Sequence, residues 1–197
     1  MTDATLRDAA SILLLQGTGD ELRVLMGMRG AGHRFMPNHL VFPGGAVDEE
    51  DVHAVLASPP APALLARLGA GDAGLGRALA VAAARELEEE TGLHLGHPPA
   101  LDRIGYLCRA VTPEGRPIRF DARFLVIDAA LAQGTLAGSG ELENLSWYRL
   151  ADALALDLAY PTRMVLEQLR RWLAGDPEGR AGTTITPTLR ERSWADE

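Results

Sequence analysis

Four glutamates fall within five positions in the stretch RELEEETGL, Arg85 to Leu93. On a helix, residues three and four apart share a face, so Glu86, Glu89 and Glu90 point together while Glu88 points elsewhere. Each like-charged neighbour costs roughly 0.2–0.5 kcal/mol on a helix, and acids near its C-terminal end also oppose the helix dipole. A fully solvated face tolerates repulsion of that size, and a wet acidic surface is the plainest reading. The sharper reading is a hard-oxygen site, because three convergent carboxylates suit Mg2+ or Mn2+.

Several elements must position these side chains. A helix is predicted from about Ala73 to Thr91, with Asp72 as its N-cap and Gly92 as a left-handed stop. Upstream, AASILLLQ and LRVLMGMR read as two strands around the turn GTGDE, followed by a short strand over Leu40 to Phe42 that Pro43 and Gly44-Gly45 end as a turn. The Pro-, Ala- and Gly-rich stretch before the helix holds a short helix near Leu64 to Leu68. Downstream, IGYLCRAV and RFDARFLVID read as strands joined by TPEGRP, and LSWYRL as another. A helix starts at ADALAL, and a second follows Pro161 and ends at Gly175. Strands mixed with helices, without regular alternation, predict an α/β fold with a mixed sheet covered on both faces. The polar tail from Asp176 is expected to be disordered or laid over the surface.

At 197 residues, with 47% hydrophobic and 23% charged side chains, the chain can bury a core without disulfides. Its single Cys108 excludes a disulfide framework and points to a reducing, cytoplasmic setting. The first apolar run is too short for a membrane span and lacks the basic start of a signal peptide, so no membrane partner is expected. A net charge of −8 argues against a nucleic acid polymer as partner. All 19 basic residues are arginine, so cationic contacts to phosphate must come from its planar fork. The five histidines are scattered, without the spacing of a zinc site. Nothing here fixes the oligomer, and a homodimer is left open.

Set beside FPGGAVDEED, Phe42 to Asp51, the glutamate helix resembles the signature of the Nudix hydrolases. That family carries Gly, five residues, Glu, seven residues, then Arg-Glu-apolar-x-Glu-Glu-x-Gly-apolar. The second half is matched by Arg85, Glu86, Leu87, Glu89, Glu90, Gly92 and Leu93. In the first half Gly45 takes the leading glycine, but the Glu position holds Asp51, and 33 residues separate Asp51 from Arg85 where the family has seven. The resemblance implies a Nudix-type α/β/α sandwich over residues 1–175, with an insertion at about 52–84 and a separate tail at 176–197. The inserted APALLARL is expected to pack as a small helix and to border the substrate pocket.

By the same resemblance, the activity is hydrolysis of a nucleoside diphosphate linked to another moiety. Glu86, Glu89, Glu90 and the Gly45 carbonyl would hold Mg2+ or Mn2+, and Arg85 would orient a glutamate or pair with Asp51. The general base would be a helix glutamate, Glu86 or Glu89, or an acid of the later segment GSGELENLSWYRL; of Glu141 and Glu143 there, Glu143 is taken as the candidate. Within the family, FPGGAVDEED is similar to the coenzyme A diphosphatase branch, with Arg29 and Arg34 at the spacing of its two arginines. Met36, Asn38 and Leu40 depart from that branch's pattern, and RFMPNHLVFPGG looks instead like its peroxisomal group in animals, which also carries an insertion. Coenzyme A or an acyl-CoA is thus the leading substrate, held by Arg29, Arg34, Gly44 and Gly45. NADH, ADP-ribose, or binding without cleavage are the alternatives.

Overall fold

The computed structural model describes residues 4–30, 36–176 and 183–197. The chain runs through β1 (Leu6–Gln16), β2 (Arg23–Arg29), β3 (Leu40–Val41), β4 (Gly44–Ala46), α1 (Pro62–Leu68), α2 (Ala73–Thr91) and β5 (Leu93–His94). It continues through β6 (Gly105–Val111), β7 (Arg119–Asp128), β8 (Gln133–Gly134), β9 (Leu142–Arg149), α3 (Leu150–Ala155), α4 (Tyr160–Ala174), β10 (Pro187–Arg190) and β11 (Ser193–Asp196). The main sheet runs β11-β10-β6-β7-β1-β2-β3, with β4 also on β1 and β9 also on β2. It is mixed: β1 pairs β7 in parallel from Leu6↔Arg119 to Leu15↔Asp128, and β6 pairs β7 antiparallel.

Side chains alternate across a strand, and β1 feeds two cores. Ala10, Ile12 and Leu14 pack beneath α1 and α2, whereas Leu13 packs toward α3 and α4. The expected α/β/α sandwich follows. Among the described residues, no helix is long and apolar enough to cross a membrane.

The carboxylate helix has the predicted bounds: the Asp72 side chain accepts from the Gly74 and Leu75 amides, and Gly92 closes it at φ 71°. Two expectations are corrected. Gly44 and Gly45 form a strand and not only a turn, pairing with Ser11 and Ala10 of β1. The reason is close approach: a Cβ on Gly44 would meet Ala10 O and Ser11 Cα at 2.5 Å. β1 and β2 therefore pair only near their connection, at Leu15↔Val24 and Gln16↔Arg23, and β4 takes up the rest of that edge of β1 at Ala9 to Ser11.

The tail is the second correction. Over residues 183–197 it is not merely draped, since β10 extends the sheet beside β6, with Leu189 opposite Ala110, and β11 folds back on it. The insertion carries the expected small helix, α1. Its loop and α1 lie along the first half of α2, Leu68 is fully buried, and Arg77 of α2 holds the loop by donating to the Val52 and Ala54 carbonyls. Buried Arg123 of β7 donates to the Leu68 carbonyl at 3.2 Å and to Asp8 at 2.6 Å, tying the insertion to the sheet.

Candidate active site

The last two turns of α2 face β4 and the loop after it. There Arg85 joins the two halves of the motif. Its Nε and Nη2 donate to the two carboxylate oxygens of Asp51 at 3.0 and 3.1 Å, a bidentate geometry specific to the guanidinium fork. Nη1 reaches Glu86 at 2.8 Å and Glu89 at 3.0 Å, and Nη2 also reaches the Ala46 carbonyl. Asp51 is 1% exposed and accepts in addition from the Asp48 amide, so a shorter acid fills the position through Arg85 and the local backbone. Burial alone would lower the Arg85 pKa, but Asp51 and Glu86 outweigh it and hold the group above its ordinary value.

Glu90, 2% exposed, is the least solvated of the helix glutamates. Its Oε2 accepts from the Gly44 amide at 2.8 Å. Gly45 lies so close to Glu86 that an added Cβ would overlap the carboxylate. The two glycines thus serve the site by having no side chains. Among the described residues, ligand atoms of Glu86, Glu90 and Glu141 lie within 4.8 Å of one another. Burial raises the Glu90 carboxyl to about 7, against the Gly44 hydrogen bond and Arg29, with Glu86 and Glu141 adding repulsion. Burial also raises Glu86, and Arg85 opposes it. Carboxylates desolvated and crowded in this way favour a cation, which fits a divalent ion on these oxygens.

The predicted residues divide accordingly. Glu86 and Glu90 converge, while Glu89 lies outside that cluster on the exposed side, held by Arg85. Glu88 is outside it too and meets His97 at 2.9 Å. Glu143 sits on β9 opposite Met28, exposed, and its neighbour Glu141 completes the cluster instead. The β2–β9 register shifts between Met26 and Met28, where Asn144 takes φ 52°, and this irregularity follows both acids along the chain. Glu141 precedes β9 and Glu143 lies within it, and at two residues apart they are not distinguished by alternation along ELENL. Arg29 donates to the Gly44 carbonyl at 3.5 Å, and among the described residues its buried Nε has no hydrogen-bond partner. Arg34 lies outside the described residues.

Gly44, Gly45 and Arg29 also line a cavity of about 500 Å³, with Phe120, Phe124 and Tyr160 on its walls. The insertion does not border it. Ala61, Leu64 and Arg67 instead line a second cavity of about 1260 Å³ at the Leu15 end of β1.

Comparison with known proteins gives a consistent family. The model of the NUDIX domain family matches residues 5–169. A Caenorhabditis elegans relative whose name places it among the nudix hydrolases is 41% identical over 87 residues, 44% of this chain. That match spans only 22% of the relative's length. A NUDIX hydrolase from Alicyclobacillus acidocaldarius superposes with a TM-score of 0.64 at 25% identity, covering 83% of this chain and 90% of that one. A MutT NUDIX hydrolase from Burkholderia pseudomallei gives a TM-score of 0.54 at 22% identity, covering 84% and 99%.

Proposed function

The chain belongs to the Nudix family, and from that premise we propose that it is a metal-dependent pyrophosphohydrolase of coenzyme A or an acyl-CoA. Its products would be 3',5'-ADP and 4'-phosphopantetheine or the acylated form. The observation that carries the hydrolase reading is the meeting of Glu86, Glu90 and Glu141 against the Gly44–Gly45 backbone, beside an arginine-bearing cavity. Support for the coenzyme A branch comes from FPGGAVDEED and from the place of Arg29 next to Gly44.

Glu86, Glu90 and Glu141 would hold Mg2+ or Mn2+, with Gly45 beside Glu86. When bound, such an ion neutralises phosphate charge and makes a water more acidic. The chain's own groups do the rest. Arg85 fixes Glu86 through a hydrogen bond and is itself fixed by Asp51, so the ligand geometry is set before substrate arrives. Arg29 presents a guanidinium at the mouth of the glycine wall, where it can orient a phosphate oxygen. Exposed Glu89 can accept a proton from the attacking water.

The test is hydrolysis of coenzyme A, acetyl-CoA, NADH and ADP-ribose with Mg2+ or Mn2+, for wild type and Glu90→Gln. Cleavage of coenzyme A is expected, reduced about a thousandfold in Glu90→Gln, as loss of several kcal/mol of charge stabilisation requires. A preference for NADH or ADP-ribose would sink the coenzyme A assignment. Absence of cleavage of every substrate would leave a nucleotide-binding module.

A further inference from the structure

The carboxylate site makes no use of the β10–β11 hairpin, which lines the neighbouring cavity. β10 and β11 are joined by Glu191 and Arg192, which adopt φ 46° and 75°, a backbone region uncommon for residues with side chains. The hairpin is anchored on both sides. Glu197 accepts from Arg190 at 2.6 Å and from Arg109 at 2.9 Å, and Arg109 is itself paired with Asp121. At the turn, the Tyr160 hydroxyl donates to the Arg192 carbonyl at 2.9 Å, and the Arg192 guanidinium lies 5.4 Å from the Tyr160 ring centroid.

This tight turn brings Arg192 to the 500 Å³ cavity that Gly44 and Gly45 also line. Arg116, from the β6–β7 turn, reaches the same cavity. Topology makes the juxtaposition: β10 runs parallel to β6, so the turns after Arg190 and after Val111 emerge at one end of the sheet. Arg29 stands at the glycine wall, so the cavity carries guanidiniums from three separate elements and, among the described residues lining it, only one carboxylate, Glu191. In a chain of net charge −8 this is a local reversal of sign. Aromatic walls with cations on the rim suit a nucleotide that bears an anionic group besides its pyrophosphate.

We propose that Arg116 and Arg192 form a subsite for a phosphate monoester on the nucleotide half of the substrate, built by the C-terminal hairpin. This deepens the pyrophosphohydrolase reading and rests on it. The hairpin then sets specificity, while the carboxylate helix sets chemistry.

The experiment compares kcat/KM for coenzyme A and dephospho-coenzyme A, which differ by one ribose phosphate, and for NADPH and NADH in the same way. Wild type, Arg192→Ala, Arg116→Ala, Arg192→Lys and, from the far end of the sheet, Arg103→Ala are assayed together. Wild type is expected to prefer the phosphorylated member by about tenfold or more, the scale of a charge-assisted contact. Arg192→Ala and Arg116→Ala each shrink that ratio several-fold, Arg192→Lys recovers part of it, and Arg103→Ala keeps it. Equal kcat/KM for both members in wild type, or an unchanged ratio in both alanine variants, overturns the subsite and leaves the hydrolase reading standing. Failure of wild type to cleave any of the four overturns the coenzyme A reading, and the subsite with it.

Discussion

The two ends of the sheet each hold a cavity edged with arginine, and they differ in what the arginines face. At the far end Arg67, Arg103, Arg149 and Arg170 line the larger space. Two of these are engaged in holding the fold. Arg67 donates to the Thr183 and Tyr106 carbonyls at 2.6 and 3.1 Å, and Arg149 pairs with Glu21 at 2.9 Å. At the near end the smaller cavity shares its glycine wall with three crowded carboxylates, two of them raised in pKa. Volume does not mark the site here. The combination of desolvated acids, side-chain-free backbone and adjacent cations does.

The sharpest way to break this contrast is to remove one arginine from each end. Arg85→Ala leaves buried Asp51 without its partner, and such a loss costs about 3–5 kcal/mol. It also releases Glu86 and Glu89, so catalysis should fall with stability. Arg67→Ala removes two carbonyl contacts, a loss of about 1–3 kcal/mol, and should leave kcat/KM on the best substrate within a factor of two. Thermal melts and steady-state kinetics on both variants check this. Equal damage to kcat/KM would erase the distinction between the ends.

A smaller effect sharpens the near end alone. The Glu90 carboxyl, raised from 4.5 to about 7 by burial, keeps its proton longer in the metal-free fold than in the unfolded chain. The folded state then binds more protons between those values, so metal-free stability should fall as pH rises from about 4.5 to 7. Protons compete with the ion over the same range, and Mg2+ affinity should drop by up to about tenfold for each pH unit below about 7. Melts with and without Mg2+ at several pH values would show it as a metal-dependent gain in melting temperature that grows with pH.

Much of this was readable in the chain, for identifiable reasons. The carboxylate helix has local stops at both ends, Asp72 and Gly92, and its acids recur at helical spacing, so its bounds and its shared face follow from nearby residues. The Arg85–Asp51 pair was legible as a motif although 33 residues intervene, because both positions belong to one signature. What was not legible depends on partners distant in sequence. β4 looks like a turn until Ser11 and Ala10 are placed beside it. β10 and β11 lie in a polar segment whose strand character comes from pairing with β6. Glu141 and Glu143 stand two residues apart, so strand alternation does not tell them apart, and only the approach of Glu141 to Glu86 and Glu90 of α2 sets it off.

The most direct test is a calorimetric titration of Mn2+ into wild type, Glu90→Gln, Glu141→Gln and Glu88→Gln, without substrate. Glu90→Gln and Glu141→Gln should each weaken binding by about tenfold or more, in line with the loss of a charged oxygen ligand. Glu88→Gln should bind as wild type does. Equal affinity in all four proteins, or a loss in Glu88→Gln as large as in Glu90→Gln, would contradict the placement of the ion at Glu86, Glu90 and Glu141.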